Sequence, residues 1–162
     1  MKGYTFKNYN NEHMARAIGI ALPISFKQSV EICSFIKNKN ADYAKKILQN
    51  VIEKKSAIPF KRFNFDLGHK PGIGPARYPE KASKQFIKLI ENVESNAQFK
   101  GLNTSNLIIS HVSAHKSGKS WHFGRQSRRR MKRTNVEIVV EEKLKKAENK
   151  KETKNQEAKK EK

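Results

Sequence analysis

Between Lys116 and Arg133 the chain carries eight cations, Lys116, Lys119, Arg125, Arg128, Arg129, Arg130, Lys132 and Arg133, and no carboxylate. A run of one sign has to be explained by something outside it, because a merely solvated face interleaves both signs. Arginine presents a planar fork of donors that fits a phosphate in two-point fashion and can lie flat on an unpaired base. Trp121, His122 and Phe123 stand inside the same run, and their rings could stack on such bases. Chemistry of this kind is recognition of a polyanion with exposed bases, which is to say RNA.

A second stretch repeats the mixture. From Pro59 to Pro79 the chain is punctuated by Pro59, Gly68, Pro71, Gly72, Gly74, Pro75 and Pro79, and it mixes Lys61, Arg62, His69, Lys70 and Arg77 with Phe63, Phe65 and Tyr78. About twenty residues without helical or strand periodicity are unusual inside a domain, so this segment reads as a functional loop ordered by a bound partner.

Other spacings fail as chemistry. Gly118-Lys119-Ser120 matches the end of a phosphate-binding P-loop, but Ser113 occupies the place of its first glycine and no amphipathic helix follows. Gly72-Ile73-Gly74 has Arg77 where a dinucleotide fingerprint needs a third glycine, so it reads as a turn that needs free backbone angles. His111 and His115, four apart, share one face, but a third ligand is missing and Cys33 makes no zinc spacing with any histidine. No nucleophile-elbow or other catalytic spacing is present. The expectation is a protein that is not an enzyme and holds neither metal nor cofactor.

Composition points the same way. The 162 residues include 35 Lys and Arg against 15 Asp and Glu, a formal net charge of +20. Positive charge on this scale is usually compensated by a polyanion whose phosphates release their counterions on binding. A membrane surface is the other anionic candidate, but it would call for a basic amphipathic helix, a lipidation motif or a run of about 18 apolar residues, and none is found. The single cysteine, Cys33, excludes an internal disulfide, and the start lacks an apolar leader, so an intracellular setting is expected. Hydrophobic residues at 36% suffice for one modest core.

The elements that must position these residues can be read from periodicity. Met14 to Leu22 is a short apolar run stopped by Pro23, a strand. Ser25 can cap a helix whose Phe26, Val30, Cys33 and Ile36 recur at helical spacing, and Asn40 can cap a second with Ala41, Ala44, Ile47, Leu48, Val51 and Ile52, running to about Lys55. Their short linker suggests an antiparallel pair. A third and longest helix carries Ala82, Phe86, Leu89, Ile90, Val93 and Ala97 between Pro79 and Gly101. Leu107 to Ala114 and Val136 to Val140 are strands, joined by a protruding arm at about 115–135. The domain accordingly covers residues 1–141, and 142–162 form a charged flexible tail with almost nothing to bury.

Several stretches also carry a family resemblance. Ala15-Arg16-Ala17, Ile24-Ser25-Phe26-Lys27, Glu31-Ile32-Cys33, Ala57-Ile58-Pro59-Phe60-Lys61-Arg62, Gly68-His69-Lys70, Arg77-Tyr78-Pro79-Glu80-Lys81-Ala82, Lys100-Gly101-Leu102, Gly124-Arg125 and Val136-Glu137-Ile138-Val139-Val140 occur in collinear order. Together they resemble the archaeal and eukaryotic branch of the large ribosomal subunit protein twenty-two family, numbered seventeen in eukaryotic naming, over about residues 4 to 142. The arm departs from that family, with Trp121-His122-Phe123 before Gly124-Arg125-Gln126 where relatives carry Pro-Arg-Ala and Gly-Arg-Ala.

The resemblance implies an α+β fold, a three-stranded antiparallel sheet packed on three helices, with a long protruding β-hairpin. It also implies a structural constituent of the large ribosomal subunit, cytoplasmic and in the ribosome. Such a protein binds large-subunit ribosomal RNA, contacts neighbouring ribosomal proteins, supports assembly and lines the nascent polypeptide exit tunnel with its hairpin. Lys27 joins the expected RNA contacts on this ground. The rival reading is a free RNA chaperone or nucleic-acid-binding regulator.

Overall fold

The computed structural model describes residues 3–142; the expected tail, apart from its first residue, lies outside them. In chain order the elements are β1 (Met14–Leu22), α1 (Phe26–Ile36), α2 (Ala41–Ile52), β2 (Ile58–Pro59), β3 (His69–Lys70), β4 (Gly74–Arg77), α3 (Glu80–Phe99), β5 (Leu107–Lys116) and β6 (Thr134–Glu142). The fold is α+β, as expected, with a second, smaller sheet added.

The main sheet has the order β1-β6-β5, antiparallel throughout. β6 lies in the middle, and Thr134 through Val140 are all buried, which explains why its sequence is β-branched with little polar alternation. Ala15 and Ala17, Val136, Ile138 and Val140, and Leu107, Ile109 and Val112 belong to the core, where α3 lies against β1 and α1 against β5. Gly19 permits the close approach of α3, since a Cβ there would meet Leu89 Cδ1 and Cδ2 at 3.1 Å.

A bulge between Ile109 and His111 shifts the register of β5. It keeps Leu107 and Ile109 in the core while turning His111, Ser113 and His115 to the opposite face. That face is crossed by the chain before β1: Phe6 stacks on His111 with ring centroids 4.9 Å apart, and Thr5 bonds to Glu137. His111 is thus half-buried against protein.

The helices follow the expected periods with two differences. α2 is capped by Asn40, whose side chain accepts from Asp42 N, and α3 buries all six apolar residues of its predicted face. In α1, however, Ser25 makes no side-chain cap, and the buried set is Ser29, Glu31, Ile32, Cys33 and Ile36, with Phe26 and Val30 only half-buried. Nor do α1 and α2 pair: α2 packs on α3, braced by Lys45 to Glu94 at 2.8 Å. The connector between α1 and α2 pairs instead with β5, an edge strand of the main sheet. Asn38 N donates to Ile109 O at 2.8 Å and Ile109 N to Lys39 O at 2.9 Å, which satisfies backbone groups an edge would leave open.

The segment 59–79 is not the structureless loop expected. β2, β4 and β3 form a small antiparallel sheet in that order, and Gly72 and Gly74, at φ +70° and +81°, turn β3 into β4. No helix of the described residues is long and apolar enough to cross a membrane.

Candidate nucleic-acid interface

Lys116 and Thr134 form the last paired rung of the main sheet, and the arm, residues 117–133, projects from there. Its root is pinned: Thr134 Oγ1 donates to Ile24 O at 3.0 Å, and Ala21 N donates to Asn135 Oδ1 at 2.8 Å. Outward from the root the arm is a sparse hairpin. Ser117 N donates to Arg133 O at 3.3 Å, Met131 N to Ser120 O at 2.8 Å and His122 N to Arg129 O at 2.9 Å. Gly124, at φ +63°, starts the 3-10 turn Gly124–Gln126 at the tip. Every residue from 118 to 130 is exposed, so Lys119, Arg125, Arg128, Arg129 and Arg130 all stand in solvent. The Arg130 guanidinium lies over the Trp121 ring, 4.4 Å from its centroid, while Phe123 is 86% exposed and His122 stands beside it.

At the root the arm meets the loop. Lys116 Nζ lies 5.4 Å from the centroid of Phe26, and Phe26 meets Phe63 edge-on at 6.4 Å. Lys27 and Arg62 each sit 5.6 Å from the Phe63 ring. Lys27, Arg62 and Lys116, separated by almost ninety residues in sequence, therefore share one cation and ring cluster. Phe26 was expected in the core; it sits instead half-buried beneath these charges.

What orders the loop is Glu31. This carboxylate is 2% exposed and accepts from three successive main-chain groups: Lys61 N at 3.1 Å, Arg62 N at 2.9 Å and Phe63 N at 2.8 Å. A buried carboxylate is costly unless its lone pairs are filled, and three N–H donors fill them. The loop is thus held by the body itself, and the expectation that it needs a partner to become ordered is corrected. Lys61 and Arg62 are left pointing into solvent, with Phe65 exposed nearby.

On the other side of the small sheet, Lys70 lies 5.5 Å from the Tyr78 ring. Lys70, Arg77 and Tyr78 line an open pocket of ≈ 420 Å³ that also reaches Gln28 on α1. His69 is exposed on β3 beside it. The predicted contacts therefore fall into three places: the arm, the Phe26–Phe63 cluster and the Lys70–Tyr78 pocket, the last two both reaching the first turn of α1.

Ion pairs are few on the described surface as a whole, and one of them, Lys54–Glu80, lines the Lys70–Tyr78 pocket. Among the described residues, no predicted contact cation forms an ion pair with a carboxylate, whereas Lys45, Lys54 and Lys55, on or beside α2, pair with Glu94 and Asp42, Glu80 and Glu53 respectively. The segregation of sign read in the arm thus persists in space. Cys33 is buried and its thiol is pushed up to about 12 by that burial, which removes it from nucleophilic chemistry. No group of three or more His, Cys, Asp or Glu among the described residues is placed to hold a metal.

The second buried carboxylate, Glu137, lies on the outer face of β6. It is 1% exposed, with His111 Nε2 at 2.9 Å and Ser113 Oγ donating at 3.0 Å, besides the two bonds from Thr5. Burial alone would raise its pKa, but the donors of Thr5, His111 and Ser113 outweigh this and hold it below the ordinary value. Neither Glu31 nor Glu137 was read from the sequence as a positioning residue. The only available signal was an acid set among core-forming neighbours, Ile32 and Cys33 in one case, Val136 and Ile138 in the other.

Comparison with known proteins agrees with this geometry. The family model of ribosomal protein L22p/L17e matches residues 17–141. The large ribosomal subunit protein uL22 of Thermoplasma volcanium is 44% identical over 147 residues, covering 88% of this chain and 98% of the relative. Its counterpart from Methanoculleus marisnigri is 45% identical over 140 residues, 81% of this chain and 91% of the relative. That from Archaeoglobus fulgidus is 40% identical over 146 residues, covering 85% and 94%. With the sheet, the projecting arm and this near-complete overlap in agreement, the chain belongs to the ribosomal protein L22p/L17e family, in its archaeal form, as a large-subunit ribosomal protein rather than an enzyme.

Proposed function

We propose that this protein is a cytoplasmic structural constituent of the large ribosomal subunit that binds large-subunit ribosomal RNA through the arm, the Phe26–Phe63 cluster and the Lys70–Tyr78 pocket. The observation that carries this reading is the projecting arm, exposed at every residue from 118 to 130, whose run of cations contains no carboxylate and meets none in an ion pair among the described residues. Neutralising seven phosphates with the arm alone would give a salt slope of about five to six units. Trp121, His122 and Phe123 then stack on unpaired bases or face the nascent polypeptide where the arm lines the exit tunnel. Contacts with several RNA segments and with neighbouring ribosomal proteins support subunit assembly. Residues 1–141 carry this function.

Sedimentation tests the reading. A structural constituent stays with large subunits through a moderate salt wash, while a free RNA chaperone or regulator leaves them. Cross-linking of a stalled nascent chain to a photoreactive group at Phe123 tests the tunnel placement separately; its absence would remove only that placement.

A further inference from the structure

At the end of the main sheet away from the arm, Arg16 is held in an unusual way. Its guanidinium lies 4.2 Å from the centroid of Tyr4 and 4.2 Å from that of Tyr9, a contact with two rings at once. No carboxylate of the described residues pairs with it. The nearest buried acid on this face, Glu137, is occupied by Thr5, His111 and Ser113. The guanidinium lines an open pocket with no carboxylate partner, and its N–H fork is a two-point donor for a phosphate.

The surroundings keep this group in place. Lys100, at the end of α3, donates to Tyr9 Oη at 2.7 Å, to Asn11 Oδ1 at 2.6 Å, and to the carbonyls of Asn11 and Met14, both at 3.1 Å. Its charge is thus used to fasten the segment before β1 onto α3. Asn96 Nδ2 donates to Arg16 O at 3.0 Å. An open pocket of ≈ 360 Å³ results, lined by Arg16 and both tyrosines, with Phe99 at its rim. Phe99 is 94% exposed, a large ring in water with no packing role.

We infer that this pocket is a fourth RNA contact that seats one unpaired nucleotide, its phosphate on the Arg16 fork and its base on the Phe99 ring. The inference rests on the RNA-binding reading above and extends it to a face that reading does not use. Arg16 pairs with Val139, five residues along β6 from Thr134 at the arm's root, which is about 17 Å of strand. Arm and pocket accordingly grip separate stretches of RNA.

The test is salt-titrated binding of the full chain to large-subunit RNA fragments. Phe99→Ala, which removes a side chain that packs on nothing, should weaken binding about tenfold with the salt slope unchanged, as loss of one stacked base does. Arg16→Lys keeps the charge but loses the fork, and should weaken binding several-fold, also at constant slope. Arg16→Gln should in addition lower the slope by about 0.7 to 0.9. If Phe99→Ala and Arg16→Lys bind as the wild type does while neutralising the arm still weakens binding, the pocket is not an RNA contact and the arm reading stands. If the arm variants bind unchanged as well, both readings fall together.

Discussion

The loop after β2 and the arm between β5 and β6 carry the same chemistry, cations among aromatic rings punctuated by glycine, yet the fold supports them in opposite ways. The loop's main chain is bonded by the buried Glu31 carboxylate at three successive positions, and Phe63 is braced by Phe26. The arm is tied mainly to itself, by a few cross-arm main-chain bonds and the Arg130–Trp121 contact. Ordering a backbone costs about 1–2 kcal/mol per residue. For the loop that cost is met by bonds to the body, whereas the arm meets it with a few bonds of its own beyond a pinned root. A surface fastened to the body beside an arm that projects from it gives a fixed point of attachment and a reach beyond the body.

The contrast predicts how each region responds to substitution. The largest effect on stability belongs to Glu31→Ala, which leaves three main-chain donors near α1 without their acceptor. At about 1–3 kcal/mol per unsatisfied buried group, the variant should lose roughly 3 kcal/mol or more in urea unfolding. A loss below about 1 kcal/mol would mean that the loop holds itself, and the contrast with the arm would disappear.

Next in size are the arm's rings. Trp121→Ala and Phe123→Ala should leave the unfolding transition in place and weaken binding to large-subunit RNA fragments by about 1 to 3 kcal/mol per stacked base, with little change in salt slope. Wild-type RNA affinity together with altered passage of nascent chains would move the rings from the RNA to the tunnel wall.

A smaller effect, one of pH, comes from Glu137. Its folded pKa lies below the ordinary 4.5, so the stability it adds is complete above that value and is lost as pH falls through the lowered folded value. The segment carrying Thr5 and Phe6 should loosen in that window. Following His111 and Phe6 by nuclear magnetic resonance during acid titration checks this, and Glu137→Gln should flatten the acid limb of the stability curve. Removing residues 145–162 should have the least effect, within about 0.5 kcal/mol; a clearly lower Tm would mean that the tail docks on the body.

The arm was legible in the sequence because sign segregation is a local property, visible wherever eight cations occur without an acid. α2 and α3 were legible for a similar reason, since Asn40 caps locally and Phe86, Ile90 and Val93 repeat at helical spacing. The loop's order was hidden. β2, β3 and β4 span two to four residues, too few to show alternation, and Pro59 and Pro75 stand within them. Glu31 lies thirty residues before the amides it binds, and helical period alone cannot say which loop a polar residue of α1 will meet. The pairing of the α1–α2 connector with β5 is equally non-local, which is why a short linker was misread as the turn of a helical pair. Arg16 was visible only as part of a family motif; its setting against Tyr4 and Tyr9 depends on how the chain before β1 crosses the sheet.

The most direct test of the account is the salt dependence of binding to large-subunit RNA fragments when Arg128, Arg129, Arg130, Lys132 and Arg133 are all replaced by glutamine. These residues contribute nothing to the core, so the unfolding transition should coincide with that of the wild type. The slope of log affinity against log salt should fall by about 3.5 to 4.5 units, the share expected of five phosphate contacts. An unchanged affinity and slope in a folded variant would contradict the account, because the unpaired charge of the arm would then have no RNA to meet.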